Sequence, residues 1–325
     1  MNKSKLIKDS TLGFVIGDAL GVPVEFKSRE ELTISPLKEM IGYGSHNVPE
    51  GTWSDDTSMM LATMDSIIET NKIDYDNMMN KFCDWYINSK YTATGVVFDI
   101  GNTICKALNK YCSGYNALDC GGNNEFDNGN GSLMRILPIS LYSHYNNLDE
   151  QDEIDLLNKC SSLTHAHEIS KLGCKIYTDF IKFISLGKNK DEAFKEIVNK
   201  DYSINFSRES INKYKRLLND NFKNLDISQI KSSGYVVDSL EASLWCVLNT
   251  DTYENAVLKA INLGEDTDTV GAITGSIAGL LYGNEKIPER WISKLKNKEY
   301  LMEIVENYSD LLINFNKNFN EKNIK

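Results

Sequence analysis

The sequence predicts an all-α protein built from many short helices. Three observations carry that expectation. Apolar residues recur at helical spacing along most of the chain. Alternating runs of strand length are scarce. Only 5 of 325 residues are Pro, and most sit at segment edges.

The elements follow in order. A first helix ends at Gly17-Asp18-Ala19-Leu20-Gly21, and a Gly/Pro turn then delivers Glu25. Residues 55–69 carry Met60, Met64, Ile67 and Ile68 on one helical face. The same periodicity predicts helices over 75–87, 100–108, 133–142, 169–184, 193–198, 236–248, 253–261, 270–282 and 300–315. Pro138 falls inside one of them and predicts a bend. Gly, Asn and Asp dominate 111–131, which reads as a long loop of the kind usually tied to function. Residues 201–234 are polar and read as exposed helices with a loop, without chemistry. One domain is expected over 1–325: a core at 13–283, a helical extension at 284–315 and a frayed, solvated tail at 316–325.

Composition excludes several classes of function. The net charge of −11 argues against a nucleic-acid binder, which needs a basic face, and disfavours anionic membranes. It leaves room for a phosphorylated small molecule, because Gly-rich loops, helix N-termini or bound cations hold phosphate on acidic proteins. Seven Cys without a CxxC pair read as reduced thiols, buried rather than nucleophilic. The N-terminal apolar stretch, interrupted by Gly17 and Asp18, is a poor signal peptide, and the run at 270–282 is too short to span a bilayer. A cytoplasmic location is expected.

Two acidic clusters stand out. Ser54-Asp55-Asp56-Thr57 opens one helix, and Asp266-Thr267-Asp268-Thr269 opens another. Ser at an N-cap and Asp in a first turn are also favoured by the orphan N–H groups and the helix dipole, so neither cluster alone requires a ligand. Together, if they converge, they make a hard oxygen set suited to Mg²⁺ or Mn²⁺. Without cations such carboxylates would repel one another and rise in pKa. Gly271, Gly275 and Gly279 fall four apart on the second helix and predict close packing on a neighbouring backbone. Asn128–Arg135 is a Gly/Asn loop entering a helix, able to present N–H groups to phosphate. His165 and His167 could pair on a metal, but an Asp-rich site has little need of them, and His165 reads as a substrate contact or a cap.

The stretches GDALGVPVEF (17–26), WSDDTSMMLA (53–62), DIGNT (99–103), GNGSLMRILP (129–138), THAHE (164–168) and GEDTDTVGAITG (264–275) together resemble the ADP-ribosylglycohydrolase family, in the family's order. The resemblance implies an all-α fold with a binuclear Mg²⁺ or Mn²⁺ centre. Its metal ligands would be Ser54, Asp55, Asp56, Asp266, Asp268 and Thr269. Glu25, Asp56 and Asp99 would be catalytic, Glu25 beside the metals and Asp99 near the scissile ribose. Asn130, Gly131, Ser132, Met134 and His165 would bind substrate. Ser54 and Glu265 stand where the family often has Thr and a small residue. The activity implied is hydrolysis of the N-glycosidic bond between ADP-ribose and a protein side chain, most plausibly arginine. A serine, O-acetyl or nucleic-acid-base linkage, or binding of ADP-ribose without cleavage, stay open as alternatives. The implied partners are an ADP-ribosylated protein and free ADP-ribose, with neither nucleic acid nor membrane.

Two other motifs compete. Asp266-Thr267-Asp268-Thr269-Val270 fits the nucleophile motif of haloacid-dehalogenase-like phosphatases, but those place it after a buried strand near the start of an α/β chain. The DDxxD of terpene synthases fails, because Asp55-Asp56 is followed by Thr-Ser-Met.

Overall fold

A computed structural model describes residues 3–322. Among them lie fifteen α-helices: α1 (Lys3–Gly21), α2 (Arg29–Ile34), α3 (Asp55–Thr70), α4 (Tyr75–Asn88), α5 (Asn102–Cys112), α6 (Leu137–Tyr145), α7 (Glu150–Ser162), α8 (Glu168–Ser185), α9 (Lys190–Asn199), α10 (Arg208–Lys213), α11 (Val236–Leu248), α12 (Tyr253–Ile261), α13 (Thr267–Tyr282), α14 (Glu289–Ile292) and α15 (Lys298–Lys322). Short 3-10 turns join several of them. No β-strand forms among the described residues; only two isolated bridges do, Gly122 with His165 and Gly129 with Tyr235. One continuous apolar core binds the helices into a single domain.

The core is organised around α1 and α13, which lie against each other along a glycine seam. A Cβ on Gly13 would stand 2.2 Å from the Gly275 carbonyl oxygen, and one on Gly17 would stand 2.1 Å from that of Gly271. A Cβ on Gly279 would stand 2.2 Å from the Asp9 carbonyl oxygen. No side chain fits at these positions, so the glycines give up helix propensity to let two backbones touch. The close approach expected of Gly271, Gly275 and Gly279 is therefore present, and its partner face is on α1. At the end of the seam Gly21 lies against Asp268, and the Thr267 hydroxyl donates to the Gly21 carbonyl (2.8 Å).

Helix α3 enters the core beside this pair. The Trp53 indole N–H donates to the Tyr91 carbonyl (3.0 Å), fixing the chain just ahead of the helix. Asp18 on α1 accepts from the backbone N–H groups of Ser54 (2.9 Å) and Thr57 (3.1 Å) and from the Thr57 hydroxyl (2.5 Å). It caps α3 from outside, where orphan N–H groups need a partner. Helix α15 covers the other side, with the Tyr308 hydroxyl donating to the Pro138 carbonyl (2.6 Å).

Several local expectations need correction. Pro138 does not bend a helix: a 3-10 segment, Asn130–Arg135, ends before it, and Pro138 stands in the first turn of α6, where its missing N–H costs nothing. Helices α2 and α7 were not anticipated, because their polar residues outnumber a thin apolar stripe. Helix α15 runs from Lys298 to Lys322, and 323–325 of the expected tail lie outside the described residues. All seven cysteines are free.

Candidate active site

The two acidic helix starts converge. The first turns of α3 and α13 meet at the head of a cavity of about 240 Å³. Its lining includes Glu25, Asp55, Asp56, Asp99, Asp266 and Thr269 together with Gly129, Asn130, Gly131, Met134 and His165. The Thr269 hydroxyl donates to Asp56 Oδ1 (3.3 Å), which ties the two helix starts directly. Carboxylate oxygens of Glu25, Asp266 and Asp268 lie within 4.8 Å of one another. So do ligand atoms of Glu25, His46 and Asp99, and Glu25 joins the two groups.

Burial and mutual repulsion dominate the electrostatics. Desolvation first, then neighbouring carboxylates, pushes Glu25 up to about 11. The same causes hold Asp55, Asp56 and Asp268 well above the usual carboxylate range. Burial lifts Asp18 to about 6 against the pull of the bonds it accepts from Thr57 and Ser54. Asp56 Oδ2 and Asp268 Oδ2 are buried without a hydrogen-bond partner. A buried carboxylate oxygen left bare is costly, and hard divalent cations take such oxygens as ligands. Asp55, Asp56, Asp266, Asp268 and the Thr269 hydroxyl form an all-oxygen donor set that fits Mg²⁺ or Mn²⁺ and offers no thiolate. A second acidic group, Glu150, Glu153 and Asp179, is different. Lys175 reaches all three (3.0, 2.7 and 2.5 Å), with Lys182 and Lys200 adding to the pairing, so its charge is already met by protein.

Not every residue singled out in the sequence reaches the cavity wall. The Ser54 hydroxyl caps its own helix, accepting from the Asp56 N–H (3.2 Å). Ser132 is buried and accepts from the Cys174 thiol (3.6 Å). Asp268 does not line the cavity but stays within ligand reach of Glu25 and Asp266. Asn130 ties the loop to the carboxylates: its side-chain amide donates to Asp266 Oδ2 (2.7 Å) and to the Ser239 hydroxyl (2.9 Å). Its backbone N–H donates to the Gly234 carbonyl (3.0 Å). Gly131 lies flat on Ile104 and His165, where a Cβ would stand 2.7 and 2.8 Å from their side chains. Burial, then the charge of Arg135, lowers His165 to about 3, so its ring is neutral near pH 7. Arg135 itself is buried under the loop, bonded to the Cys160 carbonyl (3.0 Å) and the Thr164 hydroxyl (2.7 Å) and set over the Phe82 ring.

Sequence reasoning missed three participants. Asp18 was visible as an acid inside an apolar helix, a signal that a buried partner was waiting. His46, whose Nε2 meets the Glu25 carboxyl, comes from a loop without any pattern. Gly234 matters through its backbone. A wider hollow of about 600 Å³ adjoins the cavity at Gly129 and Gly234 and is lined by Phe126 and Tyr235.

Comparison with known proteins agrees with this geometry. The family model described as ADP-ribosylglycohydrolase matches residues 2–320. The chain is 33% identical over 300 residues to a Serratia proteamaculans protein named ADP-ribosylarginine hydrolase Tri1, covering 92% of this chain and 77% of that one. It is 28% identical to the ADP-ribosyl-[dinitrogen reductase] glycohydrolase of Rhodospirillum rubrum, over 88% and 89% of the two chains. A solved structure titled ADP-ribosylglycohydrolase-related protein complex matches with a TM-score of 0.79 at 25% identity, over 95% of this chain and 99% of that one.

Proposed function

The chain belongs to the ADP-ribosylglycohydrolase family, a family of glycosidase-type hydrolases, and on that footing we propose that it removes ADP-ribose from modified arginine side chains with the help of Mg²⁺ or Mn²⁺. One observation carries the reading. Two helix starts that are distant in sequence bring buried carboxylates, Asp56 with a bare oxygen among them, to a cavity that a Gly/Asn loop also lines, with the bare Asp268 oxygen close by. The arginine linkage is supported by the names of the relatives at 33% and 31% identity.

Asp55, Asp56, Asp266, Asp268 and Thr269 would hold the cations, and Ser54 could join by sharing its remaining lone pair. When bound, the ions neutralise the cluster and supply Lewis-acid polarisation to a water and the sugar hydroxyls. The protein does the rest. The 3-10 turn at Asn130–Arg135, with Met134 and the neutral His165, seats the diphosphate side of ADP-ribose. The adenosine end extends into the hollow by Phe126 and Tyr235. The distal ribose lies at the carboxylates, where breaking the bond from C1″ to the guanidinium nitrogen develops oxocarbenium character. Glu25, oriented by His46, stands where it can pass a proton to the leaving nitrogen. Asp99 stands beside it to take the proton of the attacking water, and Asp56 stabilises the developing positive charge. The products are free ADP-ribose and an unmodified arginine. Nothing in this chemistry needs a membrane, and no helix among the described residues is long and apolar enough to cross one; a cytoplasmic protein substrate fits the reading.

The test is release of ADP-ribose from an arginine-modified protein, measured with EDTA, Mg²⁺ and Mn²⁺ in turn. Release that is unchanged by EDTA, or unchanged in Asp56→Ala and Asp268→Ala, would end the reading.

A further inference from the structure

The residues next to two of the site carboxylates carry an unusual backbone. Phe26 follows Glu25, and Glu265 precedes Asp266. Both have φ of 63°, the left-handed region that favours glycine. The two segments are stitched together there: the Phe26 N–H donates to the Glu265 carbonyl (2.7 Å), and the Glu265 N–H donates to the Lys27 carbonyl (2.8 Å). Gly264 crosses so close that a Cβ on it would stand 2.8 Å from the Arg29 backbone nitrogen.

The side chains make the strain informative. Glu25 is 4% exposed, whereas Phe26 beside it is 70% exposed. Glu265 is exposed as well. The Phe26 ring packs on His46 (5.6 Å between centroids), and His46 packs in turn on Phe98 (4.9 Å), next to Asp99. Core packing explains neither an outward phenylalanine nor a left-handed backbone fixed by two hydrogen bonds. Strain retained directly beside two site carboxylates points to a ligand.

An aromatic face beside a carboxylate, with Asp99 close by, complements a planar delocalised cation. Guanidinium stacks on rings and forks onto carboxylates. We propose that Phe26 and Glu265 form the acceptor subsite, receiving the guanidinium and the stem of the modified arginine, and so set the preference for that linkage. The proposal rests on the hydrolase reading above and deepens it. Its logic is positional: Phe26 and Glu265 are exposed residues directly beside the cavity carboxylates Glu25 and Asp266, and neither lines the cavity that the 129–134 loop shares with them.

Glycine suits a left-handed backbone, so Phe26→Gly and Glu265→Gly remove the side chains while keeping the turns; Glu265→Gln removes only the charge. Steady-state kinetics on an arginine-linked substrate, together with calorimetric binding of free ADP-ribose, form the test. Each variant should lose about 3- to 30-fold in kcat/KM, mainly through KM, the range of one cation–π or charge-assisted contact. Affinity for ADP-ribose should stay within twofold of wild type. Arginine-linked kcat/KM within twofold of wild type in all three variants would overturn the subsite, as would a parallel loss of ADP-ribose affinity. A wild-type enzyme that releases nothing from the arginine linkage would instead remove the hydrolase reading, and the subsite with it.

Discussion

Replacing Gly21 by alanine should damage metal binding more than it damages the fold. The new Cβ would stand 2.3 Å from Asp268 Cα and 2.4 Å from both the Asp268 nitrogen and the Thr267 oxygen. Ordinary carbon contacts lie near 3.5 Å, so the α13 start must retreat by about 1.2 Å. Metal ligands tolerate only about 0.2 Å, so Asp268 would move several times too far relative to Asp55 and Asp56. Overpacking of this kind costs about 1–3 kcal/mol. At about 2.1 cal/mol/K per residue that is a fall of about 1.5–4.5 °C in Tm for a chain of this size. Gly279→Ala is the control. It meets the Asp9 oxygen at 2.2 Å at the other end of the same seam, and it should cost similar stability. Calorimetric titration with Mn²⁺ should show affinity reduced about 10- to 100-fold in Gly21→Ala and within threefold of wild type in Gly279→Ala. Equal affinities in the two variants would refute the claim that the seam positions the ligands.

Three further expectations follow from the same geometry. Asp268→Asn should raise the Tm of EDTA-treated protein, because a repelling carboxylate is gone, yet abolish stabilisation by Mn²⁺ and cut turnover about 100-fold or more; a lowered metal-free Tm would contradict the repulsion seen in the cluster. Stability in EDTA should fall as pH rises. Below pH 3.8 the Asp18 carboxyl is protonated whether the chain is folded or not, and above about 6 it is ionised in both states at a cost of about 3 kcal/mol, from 2.2 units at 1.36 each. Asp55, Asp56 and Asp268 add cost of the same sign over higher pH, while the buried neutral His165 works in the opposite sense between about pH 3 and 6.5, so the fall should stand clear between pH 6.5 and 8, and a melting profile that is flat there would count against this. Finally, Asn130→Ala releases Asp266 and loosens the loop, and should raise KM at least about tenfold; an unchanged KM would separate the loop from the substrate.

Fold class and the heart of the site were legible because both depend on local pattern. Helical periodicity survives in a single sequence, and an acidic, hydroxyl-rich helix start announces itself at Asp55 and at Asp266. The glycines of α13 even signalled that a backbone would lie close. What could not be read was the partner: the matching face on α1 is spaced by Gly13, Gly17 and Gly21, and nothing local pairs it with residues 271–279. Asp18 stands out as an acid in an apolar helix, but its partner is hidden for the same reason, since it caps a helix from another part of the chain. His46 depends on a loop placed by Pro23 and Gly44, which only the tertiary fold decides. Pro138 misled because a 3-10 turn and a following α-helix share one apolar pattern.

The α1–α13 pairing also sets a timetable for synthesis. Gly21 and its partner Thr267 are 246 residues apart, and ribosomes add about 5–20 residues per second. For about 12 to 50 s the buried glycine face of α1 is outside the tunnel with no neighbour to cover it. The nascent chain must be sheltered or must collapse provisionally during that interval, and a carboxylate cradle that could take up an ion cannot exist before Asp266, Asp268 and Thr269 have emerged.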